Sequence, residues 1–175
     1  PFVLMYFVAF IPTHLERRTQ VILRSLMHRP VSSSDGPGYI YALELADPTR
    51  PDIIRIKVGR SINVRLRLSQ HIRRCPSSAP KLLGFFPSQS STHRGAGAPY
   101  CDRVERLVHV ELADLSANSY PRGRSAPYDP CTDCRSRHKE IFTFRRLQGS
   151  TRGQEWPLII RPVVQRWARF VQILS

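Results

Sequence analysis

Two tyrosines, an arginine, a histidine and a glutamate have types and spacing that suit phosphodiester cleavage. Tyr39 and Tyr41 alternate on a short apolar run, and Arg67 and His71 follow, four residues apart. Residues at that spacing share one face of a helix. Cleaving a phosphodiester requires deprotonating a water, countering the phosphate charge and stabilising the leaving oxygen, usually with a metal ion. Glu105 offers a carboxylate for that ion, because Mg²⁺ binds through one or two carboxylates and keeps several waters.

Each of these residues also has an ordinary structural explanation. The two tyrosines are good strand formers, and Arg67 is one arginine among many. Glu105 is equally consistent with a solvent-facing charge on a helix, and Glu44 and Glu111 are rival carboxylates. Only the joint pattern favours catalysis over these alternatives.

Hydrophobic periodicity and turn residues indicate the elements that must position these side chains. The pattern predicts strands over 39–45 and 53–58 joined by a turn at 47–52, and then a helix over 61–74 capped by a serine. The remaining predicted elements, in chain order, are a strand at 81–86, a helix at 102–115, a strand at 140–144 and a helix at 161–174. This order predicts an α+β fold with a small, mostly antiparallel sheet of three or four strands flanked by helices.

The segment before the first strand is predicted to be an N-terminal helical arm. Residues 13–16 read as a capping box that starts a helix, Pro30 ends it, and residues 32–37 form a linker. We therefore divide the chain into an arm at 1–35 and a domain at 36–175. The apolar stretch at 2–11 is too short to cross a bilayer, so no membrane partner is expected.

The charge balance favours a polyanionic partner. The 175 residues carry a formal net charge of +14, and only three of the 27 basic residues are lysines. Arginine forms bidentate pairs with phosphate oxygens, so nucleic acid is the expected partner, DNA first and RNA as the alternative. GC-rich coding would also favour arginine, but it does not explain the shortage of acids. The predicted nucleic-acid-binding residues flank the Arg67–His71 pair: Arg60, Arg65, Arg73 and Arg74.

A second candidate site lies near the C-terminal end of the domain. Cys131 and Cys134 form a C-x₂-C pair, and His138 follows four residues later. This spacing is typical of half of a zinc site, which needs four such ligands. Three residues are candidates for the fourth ligand: Cys101, which the predicted set includes, Cys75 and His109. The alternative is two free thiols beside a surface histidine.

Four motifs in chain order resemble the GIY-YIG nuclease superfamily. The resemblance covers about residues 30–172 and is greatest to the fungal form of the DNA-binding domain branch named after a phage T-five open reading frame. The motifs are Gly-Tyr-Ile-Tyr at 38–41, Lys-Val-Gly-Arg-Ser at 57–61, Val-Glu-Arg-Leu-Val-His at 104–109 and His-Lys-Glu-Ile-Phe at 138–142. In that branch a Cys-x-x-Cys…His stretch also precedes the last motif. This favours a structural zinc knuckle at 131–138.

The resemblance implies a role for each candidate residue. Tyr41 would be the general base or would orient the attacking water, aided by Lys57, which stands where the superfamily has its second signature tyrosine. Arg67 would bind the scissile phosphate, and His71 would assist proton transfer or bind phosphate. Glu105 would hold one catalytic Mg²⁺ or Mn²⁺.

The expected function is that of a nucleic-acid-binding domain, and first of all a metal-dependent DNA endonuclease. One alternative is a catalytically inactive DNA-binding module on the same fold. A second alternative is a protein-interaction domain with incidental positive charge. The basic charge and the sparse cysteines suit an intracellular protein of the nucleus or cytoplasm.

Overall fold

A computed structural model describes residues 9–88, 97–119, 130–138 and 140–173. Within these ranges the chain forms four strands and four α-helices, which confirms the predicted α+β fold. The strands are β1 (Tyr39–Leu45), β2 (Ile53–Ser61), β3 (Lys81–Phe86) and β4 (Ile141–Arg145). The α-helices are α1 (Arg17–His28), α2 (Val64–Arg74), α3 (Cys101–Ser119) and α4 (Arg161–Ile173), with short 3₁₀ turns at Pro76–Ser78 and Gly149–Thr151 and a π-helical turn at Trp156–Ile160.

The four strands make one antiparallel sheet in the order β3-β1-β2-β4. Tyr41 lies opposite Gly59, and Lys57 lies between Leu43 of β1 and Ile141 of β4. The predicted hairpin of β1 and β2 is confirmed, because β1 pairs along its whole length with residues 55–61 of β2 and the turn is at the predicted position.

The two faces of the sheet carry different helices, because side chains alternate along each strand. Tyr41, Leu43 and Leu45 form an apolar cluster with Val64 and Leu68 of α2. We call this side the α2 face. The opposite side, the core face, packs against the other three helices, and its buried residues include Ile40, Ile56, Val58, Leu107, Leu112, Phe144, Val164 and Trp167.

The N-terminal helix packs into the main core. Leu15 and Leu23 belong to the same buried cluster as the residues of the sheet and of α3. The helix begins at Arg17 rather than in the predicted capping box, and the backbone N–H of Glu16 donates to the carboxylate of Asp114 at 2.9 Å. A carboxylate from α3 therefore fixes the start of α1, which local sequence does not reveal.

The helix after β2 also begins later than predicted. Hydrogen bonding of β2 to β1 continues to Ser61, so the serine lies at the end of the strand. Asn63 is the N-cap of α2, and its side-chain oxygen accepts from the N–H of Leu66 at 3.0 Å. None of the helices in the described part of the chain combines the length and apolarity that crossing a bilayer requires.

Candidate active site and metal centre

The hydroxyl of Tyr41 lies at the centre of a hydrogen-bonded cluster on the α2 face. It is 3.1 Å from Nε2 of His71 and accepts from Nε of Arg67 at 3.4 Å. Arg67 and His71 are one helical turn apart on α2, and the pairing of β1 with β2 fixes the tyrosine below them. Three of the predicted catalytic residues are therefore brought together.

Burial sets the protonation states of this cluster. The pKa of Tyr41 is raised by burial, and the hydrogen bond and charge of Arg67 oppose this only in part. Burial, and then the positive charges of Lys57 and Arg67, lower the pKa of His71 to about 4. At neutral pH the tyrosine is therefore a phenol and the histidine is a neutral imidazole. A neutral imidazole has one N–H and one lone-pair nitrogen, so His71 can donate from Nε2 to the phenol oxygen and keep Nδ1 as the proton acceptor.

Gly59 makes room for this arrangement. A Cβ atom on Gly59 would lie 2.8 Å from the hydroxyl oxygen of Tyr41 and 3.0 Å from Cζ of the same ring. Tyr41 is only 1% exposed. The position of Tyr41 thus requires a glycine at residue 59, because the phenol lies directly across it.

Side chains of α3 occupy the edge of β2 beyond the end of β4. The N–H of Val58 donates to the carbonyl of Glu140, which extends the hydrogen bonding between β2 and the β4 segment by one bond. His109 then donates from Nε2 to the carbonyl of Val58 at 3.0 Å, and Glu105 accepts from the N–H of Arg60 at 2.9 Å. Glu105 is therefore held one residue along β2 from the glycine beneath the Tyr41 phenol.

Glu105 is a partly shielded carboxylate. Its side chain is 18% exposed, and Oε2 lies 3.4 Å from Nε of Arg60, which also contacts Asp102. Burial, followed by the charge of Glu140, raises the pKa of Glu105, while Arg60 opposes the shift. Arg60, predicted to bind nucleic acid, is thus paired with two carboxylates of α3.

Lys57 is buried on the α2 face and paired with Glu140. Its Nζ lies 2.7 Å from Oε2 of Glu140, and only 5% of the lysine residue is exposed. Burial alone would raise the pKa of Glu140, but the hydrogen bond and charge of Lys57 lower it overall. Lys57 therefore faces the Tyr41 cluster as one half of an ion pair.

A cationic cleft of about 510 Å³ opens above this ion pair. One wall is α2, with Arg67, His71 and Arg74, and the other is the segment before β4, with Arg137 and Glu140. The floor is formed by Lys57 of β2. Two other predicted nucleic-acid-binding residues, Arg65 and Arg73, are exposed on the same helix and do not line the cleft.

Three cysteines and a histidine form a candidate metal centre at one end of the cleft. The ligand atoms of Cys75, Cys131, Cys134 and His138 all lie within 4.8 Å of one another. Sγ of Cys75 is 3.5 Å from Sγ of Cys134 and 3.5 Å from Nε2 of His138, and Cys134 and His138 are 3.3 Å apart. A tetrahedral ion bound at about 2.3 Å from sulfur and 2.0 Å from nitrogen requires spacings of roughly 3.5–3.8 Å. The group can therefore hold a metal.

The predicted set of zinc ligands included Cys101, but the structure places Cys75 beside the other three ligands instead. Cys75 ends α2 and faces the knuckle, whereas Cys101 begins α3 and packs against Gly38. The pKa of the Cys101 thiol is raised to about 12, chiefly by burial. His109, the other alternative, is bonded to the sheet edge. Only the tertiary structure shows which of the three candidates is the fourth ligand, since none of them is close to Cys131 in sequence.

The remaining predicted residues have structural partners. Tyr39 packs edge-on against Phe85, with ring centroids 6.0 Å apart. Of the rival carboxylates, Glu44 pairs with Arg146 at 2.6 Å. Glu111 is buried and accepts from the indole N–H of Trp167 at 2.7 Å. Of the three, Glu105 is the carboxylate held at the edge of β2 next to Gly59, although it does not line the cleft.

The sequence model of the family described as "Meiotically up-regulated gene 113" matches residues 53–170. The chain belongs to this family. The match runs from the start of β2 into α4 and includes the cleft lysine, helices α2 and α3 and the whole Cys₃His group. No curated protein and no solved structure matches the chain.

Sequence reasoning missed four residues of the cleft, and two of them, Glu140 and Arg137, are charged. Glu140 belongs to the His-Lys-Glu-Ile-Phe motif at 138–142, but its pairing with Lys57 depends on the β2–β4 register. Arg137 lies next to a predicted metal ligand, yet its position in the cleft depends on how the knuckle folds against α2. The signal in both cases was proximity in sequence to a recognised motif.

Proposed function

We propose that this chain is a metal-dependent nuclease domain of the GIY-YIG type that cleaves phosphodiester bonds in nucleic acid, with DNA as the first substrate and RNA as the alternative. The observation that carries the proposal is the contact of Tyr41 with Arg67 and His71 beside a cationic cleft. A phenol, a guanidinium and an imidazole around one anion-binding cleft suit phosphoryl chemistry better than any other common reaction.

The cationic residues of the cleft would bind and orient the phosphate. Arg67 donates to the tyrosine through Nε, which leaves its terminal nitrogens directed towards the cleft and Gln70. Lys57 contributes a second positive charge from the floor. Charge-assisted bonds of this kind hold the scissile group and counter the charge that grows in the transition state.

We assign proton transfer to His71, whose ring is held in place by Tyr41. The imidazole is neutral and borders the cleft, and in the tautomer that donates from Nε2 to the Tyr41 oxygen its Nδ1 keeps the lone pair that can take a proton from an attacking water. Tyr41 is buried and protonated, and it fixes the orientation of the imidazole and the guanidinium. We therefore assign Tyr41 a positioning role rather than that of the base.

Glu105 fits a site for one Mg²⁺ or Mn²⁺. Its carboxylate accepts one backbone bond and contacts one guanidinium, and a carboxylate has about four lone-pair positions. A bound divalent ion would supply Lewis-acid stabilisation of the phosphate and the leaving oxygen. Arg60 holds the carboxylate in position for it.

The Cys₃His group fits zinc. Thiolate and imidazole are the ligands that zinc prefers, and four protein ligands leave no open position for catalysis. The pKa of Cys134 is lowered to about 6, chiefly by a backbone hydrogen bond at Ser136, and a thiolate is the form that binds metal. We assign this zinc a structural role.

The second candidate function is a DNA-binding module that has lost catalysis. The ion pair of Lys57 with Glu140 favours it, because the lysine at the second signature position is engaged by a carboxylate. Either function requires access to nucleic acid, so we propose an intracellular protein of the nucleus or cytoplasm.

Nuclease assays with Glu105→Gln decide between the two functions. We expect the purified chain to nick supercoiled plasmid with Mg²⁺ or Mn²⁺, and Glu105→Gln to lose at least 100-fold in rate while still binding DNA. The matched control is Glu44→Gln, because Glu44 is a carboxylate of the same sheet that pairs with Arg146. Binding without cleavage by the wild-type chain would support the inactive module, and equal cleavage by Glu105→Gln would overturn the assigned site.

A further inference from the structure

The Cys₃His centre links the two walls of the cleft. Cys75 is the C-cap of α2, while the other three ligands belong to the knuckle segment at 131–138. Asp133 of the knuckle accepts from both the N–H and the hydroxyl of Ser77, at 2.9 Å and 2.6 Å. These contacts are exposed and each contributes little on its own. A metal bound across both segments would be the strongest connection between them.

The knuckle places polar and cationic groups opposite α2. Ser136 accepts a hydrogen bond from Nη2 of Arg74 at 3.1 Å, and Arg137 lines the same end of the cleft. Among the contacts described for the knuckle, no carboxylate pairs with Arg137 or Arg74. Two guanidinium groups and a hydroxyl thus border one end of the cleft, and no described ion pair includes either guanidinium.

The spacing along α2 separates this end from the Tyr41 cluster. Arg67 and Arg74 are seven residues apart on the helix, which corresponds to two turns and a rise of about 10 Å along one face. One strand of B-form DNA carries a phosphate about every 3.4 Å along its axis. The cleft is therefore long enough for phosphates beyond the one held by Arg67.

We propose that the metal centre assembles a second anion subsite from Arg74, Ser136 and Arg137, which binds a phosphate neighbouring the scissile one on the same strand. The inference deepens the proposed function and rests on it for the identity of the anion. The metal holds the knuckle against α2, so Arg137 reaches the cleft only in the metal-loaded chain. Metal occupancy thereby controls how tightly the strand is bound, without taking part in the chemistry.

The test measures binding of a fluorescein-labelled 12-nucleotide single-stranded DNA by anisotropy, in the absence of Mg²⁺ and Mn²⁺. The full chain is compared in its zinc-loaded form and after removal of zinc with phenanthroline. The variants are Arg74→Ala and Arg137→Ala, and the control is Arg152→Ala, an exposed arginine outside the cleft. Circular dichroism records whether the stripped chain remains folded.

For the zinc-loaded chain we expect Arg137→Ala and Arg74→Ala each to weaken binding roughly tenfold and to lower the salt slope by about one. Arg152→Ala is expected to stay within about twofold of wild type. Removing zinc from the wild-type chain is expected to weaken DNA binding by at least the same factor. In the zinc-free chain, Arg137→Ala is expected to weaken binding by less than about twofold, because the subsite is already lost. An equal cost of Arg137→Ala in both forms would overturn the proposal. If removal of zinc unfolds the chain, the comparison of Arg74→Ala, Arg137→Ala and Arg152→Ala in their zinc-loaded forms decides whether the subsite exists.

Pyrophosphate titration separates this inference from the proposed function. If the zinc-loaded chain binds pyrophosphate through Arg137 but binds neither the DNA nor an RNA of the same sequence, the subsite stands and the nucleic-acid function fails. If DNA is bound equally by wild type and Arg137→Ala, the subsite fails and the nucleic-acid function stands. Binding of neither probe rejects both.

Discussion

Nζ of Lys57 lies 2.7 Å from Oε2 of Glu140, although the two residues are 83 positions apart in sequence. The lysine is almost fully buried, whereas the carboxylate side chain is 44% exposed at the rim of the cleft. A buried ammonium without a partner is costly, so the carboxylate stabilises the floor of the cleft. The same carboxylate must compete with any phosphate that approaches Lys57.

Replacing Glu140 is expected to destabilise the fold in a pH-dependent way. Because Lys57 lowers the pKa of Glu140, the pair contributes stability above the usual glutamate pKa, and this contribution is lost as pH falls through the lowered pKa. We expect Glu140→Gln to cost about 1 kcal/mol at pH 7, since the pair is partly exposed. Urea unfolding at pH 7 and at pH 3 measures the difference, which should shrink in acid. A constant difference would contradict the ion pair.

Adding a methyl group at Gly59 is expected to disturb the Tyr41 cluster. The new Cβ would lie 2.8 Å from a hydroxyl oxygen on a buried ring, so either the strand or the phenol must shift. We expect Gly59→Ala to lose about 1–3 kcal/mol of unfolding free energy. Thermal denaturation measures this.

Gly36→Ala is the matched control for the glycine substitution. No atom lies within 4 Å of a Cβ built on Gly36. We expect a stability change within about 0.5 kcal/mol there. If both alanine variants unfold at the same temperature, the close approach of Tyr41 to Gly59 is wrong.

Zinc content distinguishes Cys75 from Cys101 as the fourth ligand. We expect purified wild-type chain and Cys101→Ser to carry about one zinc per chain, and Cys75→Ser to carry much less, because three ligands bind zinc more weakly than four. Mass spectrometry of the metal gives the ratio. Cys101 is a fair control, since it is buried like Cys75. Loss of zinc in Cys101→Ser with retention in Cys75→Ser would reverse the assignment.

His71 is expected to remain neutral well below the usual pKa of histidine. Its pKa is lowered to about 4, so folding favours the neutral ring, and stability from this source falls as pH drops from 6.5 towards 4. NMR titration of the imidazole nitrogens, assigned by their loss in His71→Gln, measures the midpoint. A midpoint near 6.5 would show that the ring is not shielded in this way and would weaken its role as the proton acceptor.

The local elements could be predicted because their signals are local. Alternation of apolar residues predicted the β1–β2 hairpin, and the 3.6-residue period predicted the helices α3 and α4. Boundaries were less accurate where a tertiary partner decided them. Ser61 remained in β2 because β1 pairs with it, and α1 started at Arg17, where Asp114 of another helix binds the preceding N–H.

The sequence by itself determined the fold class, the strong positive charge and the spacing that puts Arg67 and His71 on one helical face, because these depend on composition and short-range periodicity. The tertiary structure alone decided which groups meet. It brought Cys75 to the knuckle instead of Cys101, paired Lys57 with Glu140, and set Glu105 at the free edge of β2. Such contacts join residues far apart in the chain, and only sheet register and helix packing fix their distances.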